Sequence, residues 1–288
     1  MTAHLTSLLA GFQLASALAL FAQRQTPSYN PSGLIQSAIE HRWLDESKAD
    51  QFTYIELWHN RNINKFGQVT VDESAKFESI SLGGKAYLRM IEKDGLPLKG
   101  QDAEMEEQSY DSSITAGNGK DLEERIADIV SRSVGLGLNL DLLPDYFHTA
   151  TVGLDTVNGR DAFEYLCTPR TDVEPKEKND RKGKQFKVRV WIDARDLRFA
   201  QVKAELLKDH SHMLPGTIAT INWAPVDDIW LPIKMSIHGK AKEGKSIITF
   251  QTEYHYSNYR KFHSDSRVVG APIPVTPKAS QSTKLPPN

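Results

Sequence analysis

The chain has 288 residues, of which 39% are apolar and 25% are charged, and its formal net charge is −2. This length allows a sizeable buried core, and the near-zero charge excludes the basic surface that nucleic-acid binding requires. The single cysteine, Cys167, excludes an intramolecular disulfide and a paired-cysteine zinc site, and its apolar neighbours indicate a buried, unreactive side chain. We expect no cofactor and no nucleic-acid partner.

The first 22 residues have the pattern of a secretory signal peptide. An apolar run from Leu5 to Leu20 is followed by the small residue Ala22. The run is a poor transmembrane helix, and no later segment reaches about 18 uninterrupted apolar residues. We therefore predict a periplasmic protein whose mature chain has no transmembrane segment.

Residues 23–268 are predicted to form one domain, which opens with a helix. Apolar residues recur at helical spacing and predict a helix over 34–48. Three β-type segments follow, at Thr53–His59, Gln68–Ile80 and Lys85–Ile91. The pair Gly83-Gly84 is typical of a hairpin turn between the last two segments.

A second helix is predicted over 119–135, after the charged stretch Lys99–Asp111. Leu122, Ile126 and Val130 lie on one apolar stripe of this helix, so it is amphipathic.

An antiparallel meander is predicted over 147–262. Its clearest turn is Asn158-Gly159, because this pair favours the positive φ angles of a tight hairpin. Residues 169–184 are predicted to be a solvated loop, and residues 271–288, with five prolines, a disordered tail.

The strongest signal is the alternation of apolar and polar residues along five segments between residues 186 and 256. It predicts antiparallel strands with one apolar and one polar face. Trp191 and Trp230 fall on the mainly polar face and are interpreted as exposed aromatic side chains, either single or forming a docking patch.

The width of the predicted sheet limits what can cover its apolar face. Eight to ten strands about 4.8 Å apart span roughly 38 to 48 Å, whereas two helices about 10 Å across cover only about 20 Å. We therefore predict a mainly β (α+β) fold, a strongly curved antiparallel half-barrel of about 8 to 11 strands with helices plugging its concave face. The interior is either an apolar cavity or filled by the sheet's own side chains.

Four short segments carry a family resemblance: Val157–Phe163, Val190–Asp193, Asp228–Pro232 and Tyr256–Phe262. They resemble envelope proteins of the outer-membrane lipoprotein-sorting and carrier superfamily (LolA/LolB-like). The resemblance implies a half-barrel with helices over its mouth, which the carrier proteins use to hold the acyl chains of lipoproteins between membranes.

The predicted function is that of a periplasmic binding or carrier protein, not an enzyme. Its concave face would hold an acyl chain, a lipid or a lipidated partner such as a lipoprotein. The expected ligand-binding residues lie on the apolar sheet face and the helix plug: Val188, Val190, Ile192, Val202, Leu206, Ile221, Trp223, Ile233, Met235, Ile237, Phe250, Tyr254, Leu122, Ile126 and Val130.

Two alternatives stay open. A non-enzymatic interaction or sensor module on the same fold would bind an envelope protein through rim loops and exposed tryptophans. A metal-dependent hydrolase would use His210 and His212, because side chains at i and i+2 of a strand point to the same side. No third ligand with recognisable spacing accompanies them, so we expect no metal site.

Overall fold

The computed structural model describes residues 30–82, 85–116, 139–176, 181 and 183–261. The predicted signal peptide, the helix predicted over 119–135 and the tail 271–288 lie outside the described residues, as do Gly83 and Gly84.

Eleven strands dominate the described chain. They are β1 (Phe52–Ile63), β2 (Val69–Leu82), β3 (Lys85–Lys93), β4 (Leu96–Pro97), β5 (Phe147–Val157), β6 (Arg160–Pro169), β7 (Phe186–Asp193), β8 (Phe199–Leu206), β9 (Ile218–Val226), β10 (Ile229–Glu243) and β11 (Ser246–Lys261). The described helices are α1 (Pro31–Ala49), α2 (Gln101–Ala116) and the one-turn α3 (Leu143–Tyr146), which follows a 3-10 turn at Leu140–Leu142.

The strands form one antiparallel sheet in the order β4-β3-β2-β1-β11-β10-β9-β8-β7-β6-β5. Neighbours in this order are also neighbours in the chain except at one place, where β1 pairs with β11 from Phe52 opposite Lys261 to Ile63 opposite Thr249. The sheet is open, with β4 and β5 at its edges. The predicted mainly β class, with an antiparallel sheet and few helices, is confirmed.

Contacts at one end of the sheet reveal its curvature. The Asn158 side-chain amide in the β5–β6 turn lies 3.5 Å from the backbone carbonyl of Trp223 on β9. The Arg160 guanidinium on β6 lies 5.3 Å from the centre of the Trp230 ring on β10. A flat sheet would hold β6 and β10 about 19 Å apart, so the sheet bends to bring these side chains together.

The β5–β6 hairpin forms as its turn sequence predicts. Asn158 and Gly159 both have positive φ, 51° and 78°. Asn tolerates this region and Gly has no Cβ to oppose it, so the pair sets the register in which Val157 faces Arg160.

The helix α1 covers the half of the sheet from β5 to β10. Asn30 caps its first turn by accepting a hydrogen bond from the Ser32 backbone N–H at 3.2 Å, and Pro31 follows at the first helical position. The buried face of the helix consists of Leu34, Ile35, Ala38 and Ile39. These side chains join the inward-facing residues of β5 to β10 in one apolar cluster, which also holds Cys167 as predicted.

The interpretation of Trp191 and Trp230 as exposed is wrong, since both side chains are only 7% exposed. A register shift between Pro232 and Lys234 in β10 breaks the alternation, so Trp230 lies opposite Pro225, two residues from the buried Trp223. Trp191 donates its indole N–H to the Asp155 carboxylate at 3.0 Å. Neither side chain is available as an exposed docking group.

The same register shift divides the apolar residues of β10 into two groups. Ile229 and Leu231 form a separate buried cluster with Phe52, whereas Met235 and Ile237 belong to the main core.

Candidate functional site

Most sequence-predicted ligand-binding residues lie inside the core beneath α1. The following are buried in its main cluster: Val188, Val190, Ile192, Val202, Leu206, Ile221, Trp223, Met235, Ile237 and Tyr254. Ile233, at the register shift, and Phe250 are half-buried. Leu122, Ile126 and Val130 lie outside the described residues. The structure thus brings the sheet residues together as a packed core, and their contact with a ligand stays a prediction.

A cleft of about 420 Å³ lies between α2 and the strands β1 to β3. Its apolar wall is formed by Trp58 on β1, Ala75 on β2, Met90 on β3 and Met105 on α2. Trp58 faces Ala75 across the β1–β2 ladder and Tyr254 across the β1–β11 ladder. The cleft floor is therefore continuous with the core, since Tyr254 belongs to the main cluster.

The cleft is formed by a helix that sequence patterning did not predict, because Lys99–Asp111 was interpreted only as a charged stretch. Polar contacts hold α2 against β3. The Tyr87 hydroxyl donates to Glu106 at 2.8 Å, and the Arg89 guanidinium donates to Glu107 at 2.7 Å. Burial and then the nearby Glu106 carboxylate raise the pKa of Tyr87, although Ser109 opposes the shift, so the hydroxyl keeps the proton that it donates.

The rim of the cleft is polar and mostly acidic. Its polar lining residues are Glu73, Ser74, Lys93, Asp94, Asp102 and Glu106. Asp94 has a φ of 50° and exchanges two hydrogen bonds with Ser74, one through its carboxylate at 2.9 Å and one through its backbone N–H at 2.7 Å. Lys93 pairs with Asp102 at 3.1 Å and so joins the β3–β4 turn to the first turn of α2. The rim groups are thus fixed to the same elements that carry the apolar wall.

A second charged cluster lies where α1 meets the 3-10 turn. Arg42 pairs with Asp141 at 2.8 Å and lies 3.6 Å from Glu46, while Arg198 in the β7–β8 turn pairs with Asp45 at 2.7 Å. Burial raises the pKa of Glu46 to about 7, against the attraction of Arg42. The pairs with Asp141 and Arg198 hold α1 against the 3-10 turn and the β7–β8 turn.

The two histidines considered as metal ligands do not converge with a third ligand among the described residues. The Nδ1 atom of His210 lies 3.0 Å from the side-chain oxygen of Gln185, and its backbone pairs with Met213. In the described part of the chain, no group of three or more His, Cys, Asp and Glu side chains is placed to hold a metal ion. None of the described helices combines the length and apolar character needed to cross a membrane.

Comparison with known proteins gives matches only among solved structures, since no family model and no curated protein matches the chain. A DUF1329 family protein from Desulfovibrio piger is 14% identical with a TM-score of 0.34, covering 82% of this chain and 95% of that one. A LolA superfamily protein from Nitrosomonas europaea is 10% identical, with a TM-score of 0.34 and the same coverages. The Mycobacterium tuberculosis lipoprotein LppX is 10% identical, with a TM-score of 0.28, and the match covers 81% of this chain and 98% of LppX. Of these three similar structures, the Nitrosomonas europaea protein is a member of the superfamily that the sequence was predicted to resemble.

Proposed function

We propose that this protein is a periplasmic, non-catalytic binding protein that holds the apolar chain of a lipid or a lipidated partner in the cleft beside α2. The cleft itself is the observation that carries the proposal. Its volume of about 420 Å³ falls within the range of about 300 to 1,000 Å³ that is usual for ligand sites. Export to the periplasm is supported by the signal-peptide pattern of residues 1–22.

The lining of the cleft suits a flexible apolar chain. Trp58 and Ala75 are fixed in paired strands and give a preformed wall. Met90 and Met105 add thioether side chains, which adapt to irregular apolar surfaces. Met105 is 51% exposed, so a bound chain would remove apolar surface from water. Covering about half of a methionine side chain stabilises the complex by about 1 kcal/mol.

The cleft also lies next to residues that the sequence predicted to bind a ligand. Trp58 is paired with Tyr254 on β11, and Tyr254 is paired with Met235 on β10. This row of aromatic and thioether side chains leads from the cleft toward the core beneath α1. We propose that the bound chain contacts the first member of this row, Trp58.

Tryptophan quenching by a brominated, uncharged monoacylglycerol tests the proposal on the full-length protein. Bromine atoms on the acyl chain quench only nearby indoles, so the quenched fraction should fall sharply in Trp58→Phe. Met105→Gln should weaken binding about fivefold, because it replaces the exposed apolar contact by a polar group of similar length. Ile114→Gln is the matched control, since Ile114 is also 51% exposed on α2 but does not line the cleft.

Two results would contradict the proposal. One is the absence of quenching at any concentration below the micellar limit. The other is equal quenching in the wild type and in Trp58→Phe, which would place the acyl chain elsewhere.

A further inference from the structure

The rim and the wall of the cleft differ sharply in chemistry. Four carboxylates and one ammonium group line it, which gives the cleft a formal charge of −3, whereas the whole chain carries only −2. The cleft therefore has a local excess of negative charge beside its apolar wall, and this charge can select a ligand.

The contacts of the rim groups leave most of this charge in place. Lys93 lies against Asp102 and offsets one carboxylate. Asp94 accepts a backbone N–H, and Glu106 accepts the hydroxyl of Tyr87. These two donors are neutral, so they orient the carboxylates without cancelling their charge. Glu73 adds a further carboxylate at the exposed side of the rim.

Trp58 in the apolar wall also favours a positively charged ligand. The face of an indole ring attracts cations, ammonium groups included, and does so most strongly where water is partly excluded. An aromatic wall and an acidic rim therefore favour the same ligand charge, while Met90 and Met105 accept its alkyl part.

We infer that the cleft binds cationic amphiphiles, in which an amine or quaternary ammonium group is attached to an alkyl chain. The inference rests on the proposed function, because it names the headgroup of the ligand whose apolar chain the cleft holds. Anionic amphiphiles of the same chain length meet like charge at the rim and bind more weakly.

Competition between probes of one chain length and different charge tests the inference. The full-length protein is first loaded with the brominated monoacylglycerol. Decyltrimethylammonium, decyl glucoside or decyl sulfate is then added below its micellar concentration. Displacement is measured as recovery of Trp58 fluorescence. The cationic probe should act at about tenfold lower concentration than the neutral one, and the anionic probe at the highest concentration. Added salt should reduce the difference, because it screens charges at an exposed rim.

A pair of variants on β2 links this preference to the rim. Glu73→Gln should weaken the cationic probe about threefold and leave the neutral probe unchanged. Glu78→Gln is the matched control, since Glu78 is also exposed on β2 but does not line the cleft and faces Arg89 across the β2–β3 ladder. It should change neither probe.

The possible outcomes distinguish the inference of a cationic headgroup from the proposed function. If the neutral and cationic probes compete equally, or the anionic probe competes best, the inference of a cationic headgroup is wrong. The proposal that the cleft binds an apolar chain is then unaffected. If the monoacylglycerol never quenches Trp58, the proposed function is wrong and the inference falls with it.

Discussion

The charged contact that closes the curved end of the sheet should contribute strongly to stability. Arg160 donates to Asp193 at 2.6 and 3.0 Å and to Asp196 at 2.7 Å, and its guanidinium also lies over the Trp230 ring. Asp193 is only 1% exposed. Arg160→Met would remove three charge-assisted hydrogen bonds and leave this buried carboxylate with the backbone N–H groups of Arg195 and Asp196.

The size of the effect follows from burial. Removing one partner of a buried ion pair costs about 3 to 5 kcal/mol, because the other charge stays desolvated. The Arg160 side chain is 31% exposed, so the lower end applies and we expect a loss of about 3 kcal/mol in the free energy of unfolding. The double variant Arg160→Met/Asp193→Asn should lose less than the single variant, because the neutral amide no longer needs a charged partner.

Urea unfolding followed by circular dichroism measures these free energies, and a double-mutant cycle gives the coupling. Arg170→Met is the matched control, since Arg170 pairs with Asp172 at 2.8 Å on the surface. It should lower the free energy of unfolding far less than Arg160→Met does, because solvent screens an ion pair on the surface. A loss below about 1 kcal/mol for Arg160→Met, or losses that simply add in the double variant, would refute the reasoning.

Three further predictions concern Glu46, Gly239 and Cys167. Burial raises the pKa of Glu46 from 4.5 to about 7, so the folded state binds the carboxyl proton more tightly than the unfolded state does. The free energy of unfolding should therefore fall by up to about 3 kcal/mol as the pH rises from 4.5 to about 7. Urea titrations at each pH should show a flatter profile for Glu46→Gln, and an unchanged slope would contradict the assignment. Gly239→Ala places a Cβ 2.8 Å from the Thr217 backbone Cα, so it should cost about 3 kcal/mol in thermal unfolding. Gly153→Ala, with nothing within 4 Å, should cost almost nothing, and equal costs would disprove the predicted clash. Burial raises the pKa of Cys167 to about 11, so Ellman's reagent at pH 8 should modify it only after unfolding.

The sheet could be predicted because its signals are local. Alternation along β7, β8 and β9 marks their inward faces, and Asn158-Gly159 fixes a turn by backbone preference alone. The curvature was predicted from a simple comparison of widths. Each of these inferences needs only neighbouring residues or the number of strands.

The cleft could not be predicted, because its residues come from four separate elements. Met105 and Glu106 belong to a helix with few apolar residues, and contacts with Tyr87 and Arg89 hold it in place. The periodicity of a sequence does not reveal such contacts between separate elements. The placement of Trp230 failed for a related reason, since a shift in strand pairing reverses alternation without changing composition.

The pairing of β1 with β11 also decides when the fold can be completed. Phe52 and Lys261 face each other in the ladder, although about 200 residues lie between them. As the chain emerges N-terminus first, one edge of β1 stays without a partner until β11, the last of the described strands, is available. Folding should therefore end with a slow, long-range step, and the unfinished sheet is the form that most needs protection by chaperones.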